Sequence, residues 1–249
     1  ILDDLSALRE YDPTKSDQVQ VFHPRASYRF SQKESIKTDA PSFSSGRNPD
    51  YGTPINYYLP EEMTDSVTIQ ILNAENELVR TLEGSQKNGV NRVMWDLRYE
   101  PTYKPRLRTQ PPGRPWVQLN GEGWRPLVTW DLDLWRGQFG PRVVPGKYKA
   151  IVKVGNQTYE RELEVLKDPN TDGSIDDIRQ QVALSLELRD AMNEAVTMIN
   201  TLELIRAELV SLTPSLNKKD DSKEANRLNE LSTDIVGKLY DHSSYRRTR

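Results

Sequence analysis

The chain has 249 residues, no cysteine, two histidines and a formal net charge of −3. The lack of cysteine excludes disulfides, thiolate metal sites and cysteine nucleophiles, and two histidines at opposite ends of the chain argue against a histidine metal cluster. The nearly balanced charge gives no general electrostatic case for binding nucleic acid or an anionic membrane. No apolar run approaches the roughly 20 residues that span a bilayer.

Residues 1–47 are predicted to form an extended N-terminal segment. Apart from four apolar residues among the first eight, the segment is polar and rich in turn-forming residues. The chain begins at Ile1 without an initiator methionine or a signal peptide, which favours a start inside a structural element of a larger protein.

Residues 48–168 have the hydrophobic period of two that is typical of strands. At least six short runs alternate in this way, and Gly155-Asn156 between the last two is typical of a two-residue hairpin turn. Short strands with one polar face predict an antiparallel β-sandwich of the immunoglobulin-like type.

Residues 174–241 are predicted to form an antiparallel helical hairpin, followed by a tail over residues 242–249. The first helix, close to 40 residues long, ends at Pro214. Its apolar stripe is Leu188, Met192, Ala195, Ile199, Leu202, Ile205, Leu209 and Leu212. The second helix carries Leu228, Leu231, Ile235 and Leu239 on one face. Because it covers about half of the first, part of the first stripe is left for the sandwich, a missing helix or a partner.

Three segments together resemble a known family: Asn48–Leu59, Gly89–Tyr99 with its Trp-Asp-Leu-Arg run, and Gly140–Tyr148. They are similar to the immunoglobulin-like domain, related to that of flagellar hook-capping proteins, near the C-terminus of large bacterial sortilin-like, Asp-box (BNR) repeat proteins. Those proteins are often labelled glycosyl hydrolases. Ile1–Arg9 resembles the end of the β-propeller that precedes this domain in the family.

The resemblance implies that the presumed activity belongs to the propeller, so that no catalytic residue carries over to this chain. It also implies an exported protein, extracellular or periplasmic, in which this region has the propeller as a partner.

Residues 103–140 form an insert that holds four of the five tryptophans: Trp116, Trp124, Trp130 and Trp135. Exposed indoles suit a glycan or a partner surface. The preferred interpretation is that the rings fold inward as a small core that stabilises a long loop, because soluble proteins seldom expose four tryptophans.

Two further features of the insert carry charge. Asp131 and Asp133 in a strand would lie about 7 Å apart, as in glycosidases, although the alternation with apolar neighbours favours a solvated polar face. Four basic residues, Lys104, Arg106, Arg108 and Arg114, have no acid among them between Tyr103 and Pro115. A phosphate or acidic-glycan patch is the alternative to a solvated proline-rich loop.

The junction at residues 168–176 matches part of a calcium loop through Asp168, Asn170, Asp172 and Asp176. The twelfth loop position, which should supply a bidentate carboxylate, is Arg179. Helix capping by Asp172 or Ser174 is the preferred interpretation.

The sequence therefore predicts a non-catalytic accessory and interaction module that is not an enzyme and needs no cofactor, with calcium as the alternative. The expected partners are the propeller and a second copy bound through the helices. Carbohydrate binding by the tryptophan-rich insert is the second hypothesis, and a glycoside hydrolase using Asp131 and Asp133 is the third.

Overall fold

The computed structural model describes residues 4–31, 49–125, 139–216 and 219–239. The chain divides into two compact units. The first, the sandwich unit, is Ile1–Glu100 with Gly140–Ser185. The second, the helical unit, is Pro101–Phe139 with Leu186–Arg249.

The sandwich unit contains two β-sheets. Its strands are β1 Gln20–Val21, β2 Ser27–Arg29, β3 Thr53–Leu59, β4 Val67–Leu72, β5 Leu78–Gly84, β6 Gly89–Trp95, β7 Gly146–Val154 and β8 Gln157–Lys167. One sheet has the order β1-β3-β6 and the other β2-β8-β7-β4-β5. All pairings are antiparallel except β2 with β8. The predicted class, a β-sandwich followed by a helical hairpin, is confirmed.

The core follows from the period of two in the strands. In β4, Val67, Ile69 and Ile71 are buried, and the residues between them are partly exposed. They share one core with Tyr57 and Trp95 of the opposite sheet. Because burial of each such side chain contributes about 1.5–3 kcal/mol, this shared core holds the two sheets together.

The predicted hairpin is present between β7 and β8. Val154 pairs with Gln157 across the turn. Gly155 has φ +54°, a left-handed conformation that glycine adopts at little cost.

Residues 4–31, the described part of the N-terminal segment, belong to the sandwich unit. β1 pairs with β3 and β2 pairs with β8, so the segment adds one strand to each sheet. These strands are two and three residues long, too short to show a period in the sequence. Ser6–Glu10 forms the helix α1, where the propeller resemblance leads to the expectation of a strand.

The insert leaves the sandwich and returns to it at one point. Tyr99 N donates to Pro141 O at 2.8 Å, and Val143 N donates to Leu97 O at 2.9 Å. Between these points, Pro101–Phe139 groups with the C-terminal helices, which corrects the expectation that the insert belongs to the sandwich domain.

Two long helices complete the described chain. α2 spans Ile175–Leu212, with 38 residues against the predicted length near 40, and a 3-10 turn that contains Pro214 follows it. α3 spans Lys219–Leu239, and Arg206 Nε of α2 donates to Asn229 Oδ1 of α3 at 3.4 Å. Within the ranges that the structure describes, no helix combines the length and the hydropathy needed to cross a membrane.

Candidate functional site

Several polar side chains at the strand-to-helix junction, residues 168–179, form hydrogen bonds or ion pairs with one another or with the local backbone. Asp168 Oδ1 accepts from Asn170 N at 2.9 Å, and Asp176 is ion-paired with Arg179. Ser174 Oγ and Asp177 Oδ2 bond to each other's backbone or side chain, which caps the start of α2. In the described part of the chain, no group of three or more His, Cys, Asp or Glu side chains is arranged to hold a metal ion. Calcium binding by Asp168, Asn170, Asp172 and Asp176 stays a prediction.

Two of the four insert tryptophans lie in described residues. Trp124 is half-buried beneath Arg106, whose guanidinium carbon lies 4.7 Å from the ring centroid. Trp116 is 43% exposed. Trp130 and Trp135, together with Asp131 and Asp133, lie outside the described residues. The described pair thus includes one ring that acts as a platform for a cation rather than as an open stacking surface.

Helix α2 holds the start of the insert by its backbone. Asn193 Oδ1 accepts from Tyr103 N at 2.7 Å, and Asn200 Oδ1 accepts from Arg106 N at 2.6 Å. Asn200 Nδ2 also donates to Lys104 O at 3.3 Å. The two asparagines are seven residues apart and therefore share a helix face. An extended backbone without a sheet partner thereby gains the hydrogen bonds that it needs.

Glu203 continues this row one turn further along α2. Its side chain is fully buried and accepts from Arg108 N at 2.7 Å and Thr109 N at 2.9 Å. Arg206 donates to the same carboxylate, and Arg125 Nη2 lies 3.8 Å from it. A buried carboxylate is tolerated because these partners replace its hydration.

Sequence reasoning missed this row of Asn193, Asn200 and Glu203. Its signal is a polar residue that recurs every one or two turns on a helix face that also carries the buried apolar residues Val196 and Ile199. The partner segment lies about 90 residues earlier in the chain, so the pattern alone does not predict what the row binds.

A groove of about 550 Å³ runs beside the held segment, within the helical unit. Lys104, Arg106 and Arg108 line one side, and Thr197 and Thr201 of α2 line the other. The positive charge of this groove comes from three of the four basic residues noted in the sequence. Arg114, the fourth, is not among the residues that line it.

A second surface of the helical unit is apolar. Eight residues of α2 recur at alternating spacings of three and four: Leu188, Ala191, Ala195, Met198, Leu202, Ile205, Leu209 and Leu212. We call this set, together with Leu228, Leu231, Ile235 and Leu239 of α3, the seam. Met198 is 51% exposed and Leu231 56% exposed, whereas the buried residues of α3 are Ala225, Ser232 and Val236. The predicted stripe of α3 is therefore its open face.

The sandwich unit has a cavity of about 470 Å³ lined by Asp4, Arg25 and Arg92, among others. Burial by itself raises the pKa of Asp4, but hydrogen bonds from Ser6 and the charges of Arg25 and Arg92 outweigh it and leave the pKa lowered. Such a carboxyl is ionised at neutral pH and is unsuited to act as a general acid.

Comparisons with protein-family models, with curated proteins and with solved structures each returned no match.

Proposed function

We propose that the chain is a non-catalytic interaction module that associates with a second copy of itself through the seam. The observation that carries this proposal is a heptad-spaced apolar row on α2 whose members are exposed or half-buried, together with the open stripe of α3. A heptad row in which every position is apolar is the pattern by which helices pack on other helices with interlocking side chains.

A neighbouring face of α2, one residue or about 100° around the helix from the seam, is already buried. Val196, Ile199 and Glu203 are buried on that face, so the helix has two faces with different roles. A helix needs only one apolar face to pack in its own unit. Among the described residues, the second face is left available to another helix.

The area of the seam fits a homodimer. A half-exposed leucine-sized side chain leaves about 50 Å² of apolar surface in water, so twelve seam positions leave on the order of 500 Å². A standard interface takes roughly 800 Å² from each partner, of which about 65% is apolar in homodimers. The seam of a second copy has the same heptad repeat, and knobs-into-holes packing requires matching repeats on the two helices.

The wider context is a proposal from the resemblance. The three family-like segments support a place beside a β-propeller of the same parent protein, in an extracellular or periplasmic compartment. There the sandwich unit braces the propeller, and the helical unit joins two such chains.

The test replaces Met198 and Ile205 with glutamate, with Val210→Glu as the matched control. Val210 is 54% exposed on the same helix and lies off the seam. Glutamate is a good helix former, so α2 should persist in all variants. Light scattering after size exclusion should give twice the 28.7 kDa chain mass for the parent and for V210E, and a single mass for M198E/I205E.

A circular-dichroism spectrum checks that the double variant keeps its helix content. A parent chain that stays monomeric across a dilution series would overturn the proposal. So would a double variant that is still dimeric.

A further inference from the structure

The cationic side of the groove carries charge that the described residues leave unpaired. Lys104, Arg106 and Arg108 line the groove, and none of them forms an ion pair within the described ranges. The buried acid nearest to them in the hydrogen-bond network, Glu203, directs its ion pairs to Arg125 and Arg206. Three cations without a carboxylate partner among the described residues, along one groove, favour an anionic ligand with several charges.

These cations stand on a backbone that is already fixed. The N–H groups of Arg106 and Arg108 are bonded to Asn200 and Glu203, and Leu107 between them is fully buried. A fixed backbone reduces the ordering cost of binding, which improves affinity without additional contacts. Arg106 is further fixed by its position over the Trp124 ring.

The opposite side of the groove offers hydrogen-bond acceptors. Thr197 Oγ1 donates to Asn193 O at 2.7 Å, and Thr201 Oγ1 donates to Thr197 O at 2.9 Å. Because each hydroxyl proton is used by the helix, what remains is the oxygen lone pairs. A ligand that matches them must bring hydroxyl or amide donors as well as negative charge.

An aromatic face completes the groove. Tyr103 lines it with a side chain that is 61% exposed, although its backbone N–H is held by Asn193. A flat apolar ring beside polar groups suits the apolar face of a sugar.

We infer that this groove binds an acidic oligosaccharide, with Lys104, Arg106 and Arg108 on its carboxylate or sulfate groups, the threonine oxygens on its hydroxyls and Tyr103 on a sugar ring. A DNA backbone would use the cations but has no O–H or N–H donor for the threonine acceptors, and inorganic phosphate is too small to contact the cations, the threonine oxygens and Tyr103 together. The volume of about 550 Å³ lies in the usual range of ligand sites. The site does not depend on dimerisation.

The test uses calorimetric titration of the whole chain with a short oligogalacturonate. The groove variant is K104Q/R106Q/R108Q, and the control, K147Q/K153Q/K223Q, removes the same charge from exposed lysines elsewhere. The parent and the control should bind alike, and the groove variant should bind about tenfold more weakly or worse. Tyr103→Ala should also weaken binding while leaving the charge unchanged.

Three outcomes would overturn the inference. These are no binding by the parent, equal binding of a neutral oligosaccharide of the same length, and tighter binding of inorganic phosphate or of a single-stranded oligonucleotide. The M198E/I205E chain separates this site from the seam, because it should bind the oligogalacturonate as the parent does.

Discussion

Two glycines show how a single residue position depends on tertiary structure. Gly52 has φ +130°, and a Cβ built there would lie 2.0 Å from Trp95 O. Gly89 has φ +94°, yet a Cβ there would meet nothing within 4 Å. Both positions disfavour other residues by their backbone conformation, but only Gly52 is also required by close packing.

We therefore expect Gly52→Ala to cost far more stability than Gly89→Ala. Strain at a positive φ costs about 1–3 kcal/mol, so Gly89→Ala should lose about 1 kcal/mol. Gly52→Ala should lose about 3 kcal/mol or more, because the clash with the Trp95 carbonyl adds to the strain. Urea unfolding of the two variants followed by circular dichroism measures the difference. Equal losses would show that the close approach is not what requires glycine.

The sequence predicts a turn at these glycines, but it does not predict which of them is required by close packing. Gly52 directly precedes β3, and a glycine next to a strand suggests a turn. The carbonyl that forbids its Cβ belongs to Trp95, 43 positions away, and that pairing exists only after β3 and β6 have joined.

At the scale of elements, the start of α2 depends on a capping pair. The pKa of Asp177 is lowered because the Ser174 hydroxyl and backbone N–H donate to its carboxylate. A lowered pKa means that the contribution to stability is present above the ordinary value of 3.8 and is lost as the pH falls through the native value.

We expect Asp177 to titrate below 3.8 in an NMR pH titration of its side-chain carboxyl. Ser174→Ala should shift the pKa of Asp177 up toward that value, because the hydroxyl that donates to the carboxylate is removed while the backbone N–H bond remains. In Asp177→Asn, this pH-dependent contribution to the stability of the first turn of α2 should be absent, because the side chain no longer titrates. An Asp177 pKa at or above 3.8 in the parent chain would refute the capping pair.

Periodicity predicts where elements lie better than it predicts which of their faces are buried. The sequence gives α2 a length within a few residues, because its apolar spacing and Pro214 are local signals. It does not show that Leu228 and Leu231 are exposed while Ser232 is buried. Which face of a helix is buried depends on the segment that packs against it in the folded chain. The groove was visible only as a basic run, because its other side comes from Thr197 and Thr201 on a distant helix.

At the scale of the whole molecule, the two units interleave along the chain. The insert leaves the sandwich after Glu100 and returns at Gly140, where Tyr99 N donates to Pro141 O. Because the two ends are hydrogen-bonded neighbours, a very short link can replace the residues between them. The first part of α2 belongs to the sandwich unit, with Ile178 and Val182 buried and Arg29 donating to Gln181.

A chain of residues 1–100 joined by two glycines to residues 140–185 should therefore fold as an independent sandwich. The matched chain that ends at residue 173 should be about 3 kcal/mol less stable, because it loses the buried side chains of Ile178 and Val182. Urea unfolding followed by circular dichroism compares the two. The longer chain should unfold in one cooperative transition, since a single core connects both of its sheets. Equal stability of the two chains would mean that α2 serves the helical unit alone, and failure of both to fold would mean that the sandwich needs the residues removed with the insert.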